Sequence, residues 1–211
     1  MSKSDRETAY HHGDLRLSLI QAALALITEK KEAKTLSLRE VARRVGVSHT
    51  APYRHFADKN ALLAAVAEEG FHILKRYLQT SLEETPSDAL LRLQTGGVAY
   101  VKFAISHPAH YRVMFGAFQP DNSDYPSLNA AGGEAFAVLS DAIAREQATG
   151  KVKAGDTQRL SWVAWSLVHG LAMLLIEGQL PLSDEQEIVA LTELATRSLN
   201  QGLSSEGLVR K

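Results

Sequence analysis

The chain has 211 residues, of which 45% are hydrophobic and 22% charged, and it contains no cysteine. This length is sufficient to bury a sizeable core in one or two domains, and the composition is that of a globular protein. The lack of cysteine excludes a disulfide scaffold and a thiolate zinc site, and residues 1–10 carry no apolar signal segment. We therefore expect a cytoplasmic protein.

The net charge of −1 hides an asymmetry along the chain. Residues 1–60 carry eleven Lys and Arg against seven Asp and Glu, whereas the remainder carries twelve against seventeen. A basic segment joined to an acidic one indicates a nucleic-acid contact confined to one end of the protein.

Helical periodicity dominates the whole chain, and no stretch has the alternating pattern of a strand, so the predicted fold class is all-α. Ser37, Ser48, Ser87 and Ser183 are predicted N-terminal caps, and Glu40, three residues after Ser37, is predicted to complete a capping box. Gly150 and Gly178 are predicted helix stops. A loop is predicted over 117–127. The predicted helices cover about 13–30, 37–45, 48–56, 59–84, 87–106, 108–116, 128–149, 156–177 and 183–202.

The second and third predicted helices are joined by a tight turn at Gly46, a residue that adopts a left-handed conformation at little cost. This pattern fits a helix-turn-helix that lays its second helix in the major groove, or an ordinary helical hairpin within a core. The outward side chains favour the first interpretation because they can bond to phosphates or base edges. These side chains are Ser48, His49, Thr50, Tyr53, Arg54 and His55.

The run GVSHTAPYRHFADKNALL over residues 46–63 resembles the signature of the TetR family of transcription regulators, although Pro52 takes a position often held by Leu. YHHGDL over 10–15 is similar to the start of the family's first helix, and WSLVHG over 165–170 resembles the Trp-His-Gly element of one C-terminal subclass. The resemblance implies a three-helix DNA-binding domain over 10–58. A helical ligand-binding and dimerisation domain over 59–211 follows, and the helix at about 59–84 connects the two.

The resemblance also implies roles for individual residues. Tyr53 and Lys59 match phosphate-contacting positions, Arg39 matches a position that reaches the backbone or a base edge, and His55 matches one that contacts the backbone or packs near it. A lysine at a helix N-terminus opposes the helix dipole, which also favours a phosphate contact for Lys59. The predicted DNA-binding set is Ser37, Arg39, Ser48, His49, Thr50, Ala51, Tyr53, Arg54, His55 and Lys59.

Aromatic and methionine side chains are concentrated between residues 71 and 173. A packed helical core accounts for most of them, and an apolar ligand pocket between helices is the functional alternative. The candidate pocket residues are Phe71, Tyr100, Phe103, His107, Tyr111, Met114, Phe115, Trp162, Trp165 and His169.

Two features bear on other classes of protein. His107 and His110 are three residues apart, but Pro108 interrupts that helix and no carboxylate lies within the motif, so no metal and no cofactor is predicted. Residues 160–176 lack charge, but they are interrupted by polar residues and are shorter than a typical membrane span, so we predict a helix buried on most sides.

The last two predicted helices, about 156–177 and 183–202, carry apolar and small residues that predict a homodimer, and the resemblance implies an intermolecular four-helix bundle. The predicted function is a sequence-specific repressor released from palindromic operator DNA by a small, largely apolar effector. A DNA-binding regulator of activating or architectural type, without an effector, is the alternative. No enzyme is predicted, because the chain has no Gly-rich phosphate loop, nucleophile elbow or His-Glu-x-x-His motif.

Overall fold

The computed structural model describes residues 3–85, 89–116 and 124–203, and within them the chain forms eight α-helices and one short 3-10 helix. The predicted all-α fold is confirmed, while the predicted cap Ser87 and most of the predicted loop 117–127 lie outside the described residues. The elements are α1 (Lys3–Lys30), α2 (Leu38–Val45), η1 (Ala51–Arg54), α3 (Lys59–Glu84), α4 (Ala89–Ser106), α5 (Pro108–Phe115), α6 (Pro126–Ala148), α7 (Thr157–Ile176) and α8 (Glu185–Leu203).

The chain divides into two compact units. The first unit comprises Met1–Gly70 and Pro108–Asn129, and the second comprises Phe71–His107 and Ala130–Lys211. In the first unit α1 packs against α2 and α5, and in the second α4 packs against α7 and α8. Buried aliphatic and aromatic side chains form the core of each unit, among them Leu19, Ile27, Val41 and Leu62 in the first, and Val101, Phe103 and Ile143 in the second.

Helices α4 and α8 approach each other closely in the second unit. A Cβ placed on Gly97 would lie 2.6 Å from Cγ2 of Thr196 and 3.2 Å from Cγ1 of Val168. The buried hydroxyls of Thr192 and Thr196 donate to the carbonyls of Ile188 and Thr192, at 2.7 and 2.8 Å. Small side chains that satisfy their own polar groups therefore let α8 lie directly against α4.

Two helix ends differ from the sequence prediction. The carboxylate of Asp184, and not the predicted Ser183, caps α8, since its Oδ1 accepts from the backbone N–H groups of Gln186 and Glu187 at 2.9 and 3.1 Å. Helix α1 begins at Lys3 and not near residue 13, because residues 3–9 are mostly strong helix formers and Gly13 alone does not break the helix. The predicted stops are confirmed, with positive φ angles of 72° at Gly150 and 67° at Gly178.

The prediction that 160–176 is buried on most sides is wrong for the single chain. Only 17% of the apolar 18-residue stretch within α7 is buried. Trp162, Val163 and Leu174 are each about half exposed. Helix α7 is long and apolar enough to span a membrane, but the core helix of a soluble protein can have the same length and composition.

Candidate DNA-binding surface and aromatic clusters

Helix α2 is fixed at both ends by the residues that the sequence predicted. The Ser37 hydroxyl accepts a hydrogen bond from the Glu40 N–H at 3.2 Å, which satisfies one free donor of the first turn. At the other end Gly46 has a φ of 81°, and its N–H bonds to the carbonyls of Ala42 and Arg43. The chain therefore leaves α2 in one defined direction.

Two ion pairs join α2 to the end of α1. Arg44 holds both carboxylate oxygens of Glu29, at 2.5 and 2.9 Å, and Lys30 pairs with Glu40 at 2.6 Å. The hydrogen bond from Arg44 lowers the pKa of Glu29, and the same bond raises the pKa of Arg44. The Glu40 carboxylate thus serves as a partner for α1, and only the Ser37 half of the predicted capping box is observed.

The segment after the turn differs from its prediction, because residues 51–54 form a 3-10 helix where an α-helix over about 48–56 was expected. An α-helix starting at Ser48 would need an N–H at Pro52 to reach the Ser48 carbonyl, and proline has none. That carbonyl instead accepts from the Ala51 N–H at 3.0 Å. Ser48 does not cap an α-helix as predicted, and its hydroxyl bonds to that of Thr50 at 3.1 Å.

Most of the predicted DNA-binding residues lie at the surface of the first unit. Three of them, Ala51, His55 and Lys59, are partly buried. The exposed ones are Ser37, Arg39, Ser48, His49, Thr50, Tyr53 and Arg54. Phe56 and Leu63 are buried in the core of this unit. The ammonium of Lys59 donates to the Lys34 carbonyl at 3.1 Å, a contact between the α1–α2 loop and the start of α3 that the sequence pattern does not reveal.

Three predicted pocket residues form a hydrogen-bonded cluster in the second unit. Trp165 donates from Nε1 to the Tyr100 hydroxyl at 3.1 Å, and that hydroxyl also bonds to His169 Nδ1 at 3.1 Å. Phe136 packs edge-on against Trp165 with ring centroids 6.1 Å apart. Burial lowers the pKa of His169, so its ring is held in the neutral form over a wider range of pH.

A second aromatic cluster in the same unit contains Tyr77, Phe103 and His107. The His107 ring stacks on Phe103 at 5.3 Å and meets Tyr77 edge-on at 5.6 Å. Tyr77 and Phe136 were not in the predicted pocket set, although both are aromatic residues at helical spacing.

The remaining predicted pocket residues are placed separately. Tyr111, Met114 and Phe115 lie in the first unit, where the rings of Tyr111 and Phe115 are 4.8 Å apart. Phe71 and Trp162 lie in the second unit, where Phe71 is near Gly132 and Trp162 is 50% exposed.

The second unit also contains an open cavity of about 550 Å³ that the sequence did not predict. Phe136 belongs to its wall, so the cavity is adjacent to the cluster of Tyr100, Trp165 and His169. Within the described part of the chain, no group of three or more metal-binding side chains is assembled. The cavity is lined by Gly133, Phe136, Ala137, Ser140, Asp141, Ala144, Asp156, Thr157 and Gln158.

Comparisons with known proteins agree with this architecture. Residues 19–66 match the family described as bacterial regulatory proteins, tetR family, and residues 93–199 match a tetracyclin repressor-like C-terminal domain. The chain therefore belongs to the TetR family of DNA-binding transcriptional regulators.

Solved structures extend the similarity to nearly the whole chain. A protein with unknown function from Rhodococcus sp. RHA1 is 35% identical over 93% of this chain and 98% of that one, with a TM-score of 0.78. The regulator PfmR from Thermus thermophilus is 18% identical over 85% and 97% of the two chains, with a TM-score of 0.68. FadR from Bacillus subtilis, solved with stearoyl-CoA, is 16% identical over 89% and 98%, with a TM-score of 0.73, and shares the fold.

Proposed function

We propose that this TetR-family chain is a homodimeric repressor that binds a palindromic operator and is released by a small, largely apolar effector. The observation that carries the DNA-binding part is the recognition segment, residues 48–54, which follows the Gly46 turn and includes the 3-10 helix. Its exposed polar side chains are Ser48, His49, Thr50, Tyr53 and Arg54. We further propose the boundaries 10–58 and 59–211 for the two functional domains, a cytoplasmic location and no catalytic activity.

Two kinds of contact are proposed within the DNA-binding surface. His49 and Thr50 lie at the start of the recognition segment and are assigned to base edges, with Ala51 and Ser48 beside them. Contacts to the phosphate backbone are proposed for Tyr53, Arg54, Arg39 and Lys59. Ser37 and His55 are proposed to lie near the backbone. The bond from Lys59 to the Lys34 carbonyl uses one of three ammonium donors, so the others stay available for a phosphate.

The experiment begins by selecting an operator from a random duplex library, followed by fluorescence anisotropy on the operator and on a scrambled duplex. His49→Ala and Thr50→Ala should each cost about 1–3 kcal/mol on the operator and much less on the scrambled duplex. Lys59→Ala should weaken both equally. Equal losses on both duplexes for the His49 and Thr50 variants would contradict the assignment of the base-contacting face.

The dimer is proposed to form through α7 and α8, whose exposed side chains include Val163, Leu174 and Leu194. Gly170 lies on the same part of α7, and a Cβ there would meet nothing within 4 Å of its own chain, which leaves room for close approach by a partner helix. An isologous contact would place two recognition segments on one side and match a palindromic operator.

Light scattering at micromolar concentration tests this arrangement. The wild-type chain should have the mass of a dimer, and Leu174→Arg should shift it towards the monomer. Leu91→Arg is the matched control, because Leu91 is also exposed but lies on α4, outside the proposed interface. A monomeric wild type, or equal effects of the two substitutions, would disprove the proposed interface.

The effector is proposed to bind in the second unit, among the predicted pocket residues Phe71, Tyr100, Phe103, His107, Trp162, Trp165 and His169. We propose from the sequence WSLVHG that this part of the chain belongs to the Trp-His-Gly subclass. FadR, which shares the fold, was solved with stearoyl-CoA, a ligand that joins a long apolar acyl chain to a charged coenzyme A group. A thermal-shift screen followed by operator binding at saturating effector tests the coupling. A stabilising compound that leaves operator affinity unchanged would contradict the proposed coupling, whereas the absence of any stabilising compound would leave open the activating or architectural alternative, which has no effector.

A further inference from the structure

The outer surface of α2 carries two parallel rows of charged residues that differ in their partners. Glu40 and Arg44 are four residues apart, and both are paired with α1, through Lys30 and Glu29. Arg39 and Arg43 are also four residues apart, and both are exposed. Neither has a hydrogen-bond or ion-pair partner among the described residues.

Helical geometry places Arg39 and Arg43 on one stripe. Successive residues turn by about 100°, so side chains four apart are neighbours on the same face. The core-facing residues Leu38, Val41 and Ala42 occupy another side of the helix and are buried. Arg39 and Arg43 therefore form a positively charged row that points neither into the core nor to the carboxylates of α1.

We propose that this row is a surface for the DNA phosphate backbone, and that Arg43 is a phosphate-contacting residue one turn beyond Arg39. In a helix-turn-helix the first of the two helices crosses the backbone while the second enters the groove, so an outward arginine pair on α2 faces phosphates. The inference rests on DNA binding by this unit. The sequence pattern did not separate Arg43 from Arg44, and only their different partners do so.

A structural role for Arg43 also has to be considered. Both Arg43 and Arg44 lie in the last turn of α2, where a positive charge interacts favourably with the helix dipole. Arg44→Ala removes the same charge from the same turn and adds the loss of the Glu29 pair. It is therefore a matched control for net charge and for the dipole, and it differs from Arg43→Ala in the stripe that is changed and in the loss of the Glu29 pair.

The test measures anisotropy of a fluorescein-labelled duplex of random sequence, about 30 base pairs long, across a salt series from about 50 to 200 mM. A random duplex is sufficient because phosphate contacts are indifferent to sequence. Arg43→Ala should reduce the slope of log affinity against log salt by about 0.9 per protomer. Arg43→Lys should retain the wild-type slope, since a point charge is enough, and Arg44→Ala should also retain it.

The outcomes separate the two hypotheses. A wild-type slope for Arg43→Ala would overturn the proposal, as would equal reductions for Arg43→Ala and Arg44→Ala, which would indicate only a diffuse effect of net charge. If the wild type itself showed no salt-dependent binding to any duplex, the proposed DNA-binding function would fail first. Circular dichroism and thermal melting of each variant establish that it is folded before its slope is interpreted.

Discussion

Each unit contains an arginine paired with a glutamate, and the two pairs are used differently. In the first unit Arg44 and Glu29 have side chains that are 43% and 53% exposed, whereas in the second unit Arg92 and Glu146 are 22% and 3% exposed. Water screens the first pair, but Glu146 depends on Arg92 because a buried carboxylate has few other partners. The exposed pair therefore joins α1 to α2 and depends little on burial, whereas the buried pair joins α4 to α6 and satisfies a carboxylate that water does not reach.

The largest expected effect comes from breaking the buried pair. Arg92→Met removes the partner that lies 2.6 Å from Glu146 Oε1 and leaves, among the described residues, only the Thr149 hydroxyl, at 3.3 Å from Oε2. We expect the free energy of unfolding to fall by about 3 kcal/mol, near the lower end for a broken buried pair because Arg92 is partly exposed. Urea unfolding at a fixed protein concentration measures it.

Arg44→Met is the control for that experiment, because it removes an arginine of the same kind from a solvent-exposed pair. We expect it to leave the urea midpoint nearly unchanged. If the two substitutions destabilised the protein equally, burial would not be what distinguishes the units.

The next effect concerns two adjacent glycines in α4. Gly97→Ala would place a methyl group 2.6 Å from the Thr196 side chain, and we expect a loss of about 1–3 kcal/mol from overpacking. Gly96→Ala meets only Leu82, at 4.0 Å, and should stabilise the helix by up to about 1 kcal/mol. Thermal melting of both variants measures the difference. Equal melting temperatures would mean that α8 can move away from α4 at little cost.

These glycines also indicate how far the sequence could predict the structure. Local chemistry identified the Ser37 cap, the Gly46 turn and the helical fold, because each depends on residues within one or two turns. The separate roles of Gly96 and Gly97 depend on Thr196, about a hundred positions away, and no local pattern contains that contact. The same is true of the bond from Lys59 to the Lys34 carbonyl.

Local chemistry was also misjudged at two positions. Pro52 lies in the first turn of the predicted helix 48–56, but its missing N–H falls on the bond that would start that helix, and a 3-10 helix forms instead. Ser183 and Asp184 are both good capping residues, and their order in the sequence does not decide which side chain reaches the free N–H groups of α8.

Two tyrosine hydroxyls extend the comparison between the units. Tyr100→Phe removes the acceptor of the Trp165 N–H and the partner of His169, so we expect a loss of about 1 kcal/mol in stability. Tyr53 is exposed, and Tyr53→Phe should leave stability unchanged while weakening binding to operator and scrambled DNA alike. Thermal melting measures the stability of both variants, and fluorescence anisotropy measures their DNA binding. A stability loss for Tyr53→Phe larger than that for Tyr100→Phe would contradict it.

The smallest expected effect is a dependence of stability on pH that originates at His169. Burial lowers the pKa of His169 in the folded chain, whereas the unfolded chain takes up a proton near the ordinary value of about 6.5. As the pH falls below that value, the unfolded state binds more protons than the folded state, and the free energy of unfolding decreases.

His169→Gln retains an amide that can bond to Tyr100 but does not titrate, so its melting temperature should fall less than that of the wild type between about pH 7 and pH 5.5. His49→Gln, at an exposed position of the first unit, is the control and should follow the wild-type curve. Parallel curves for wild type and His169→Gln would show that the histidine in this hydrogen-bonded cluster does not contribute to the pH dependence.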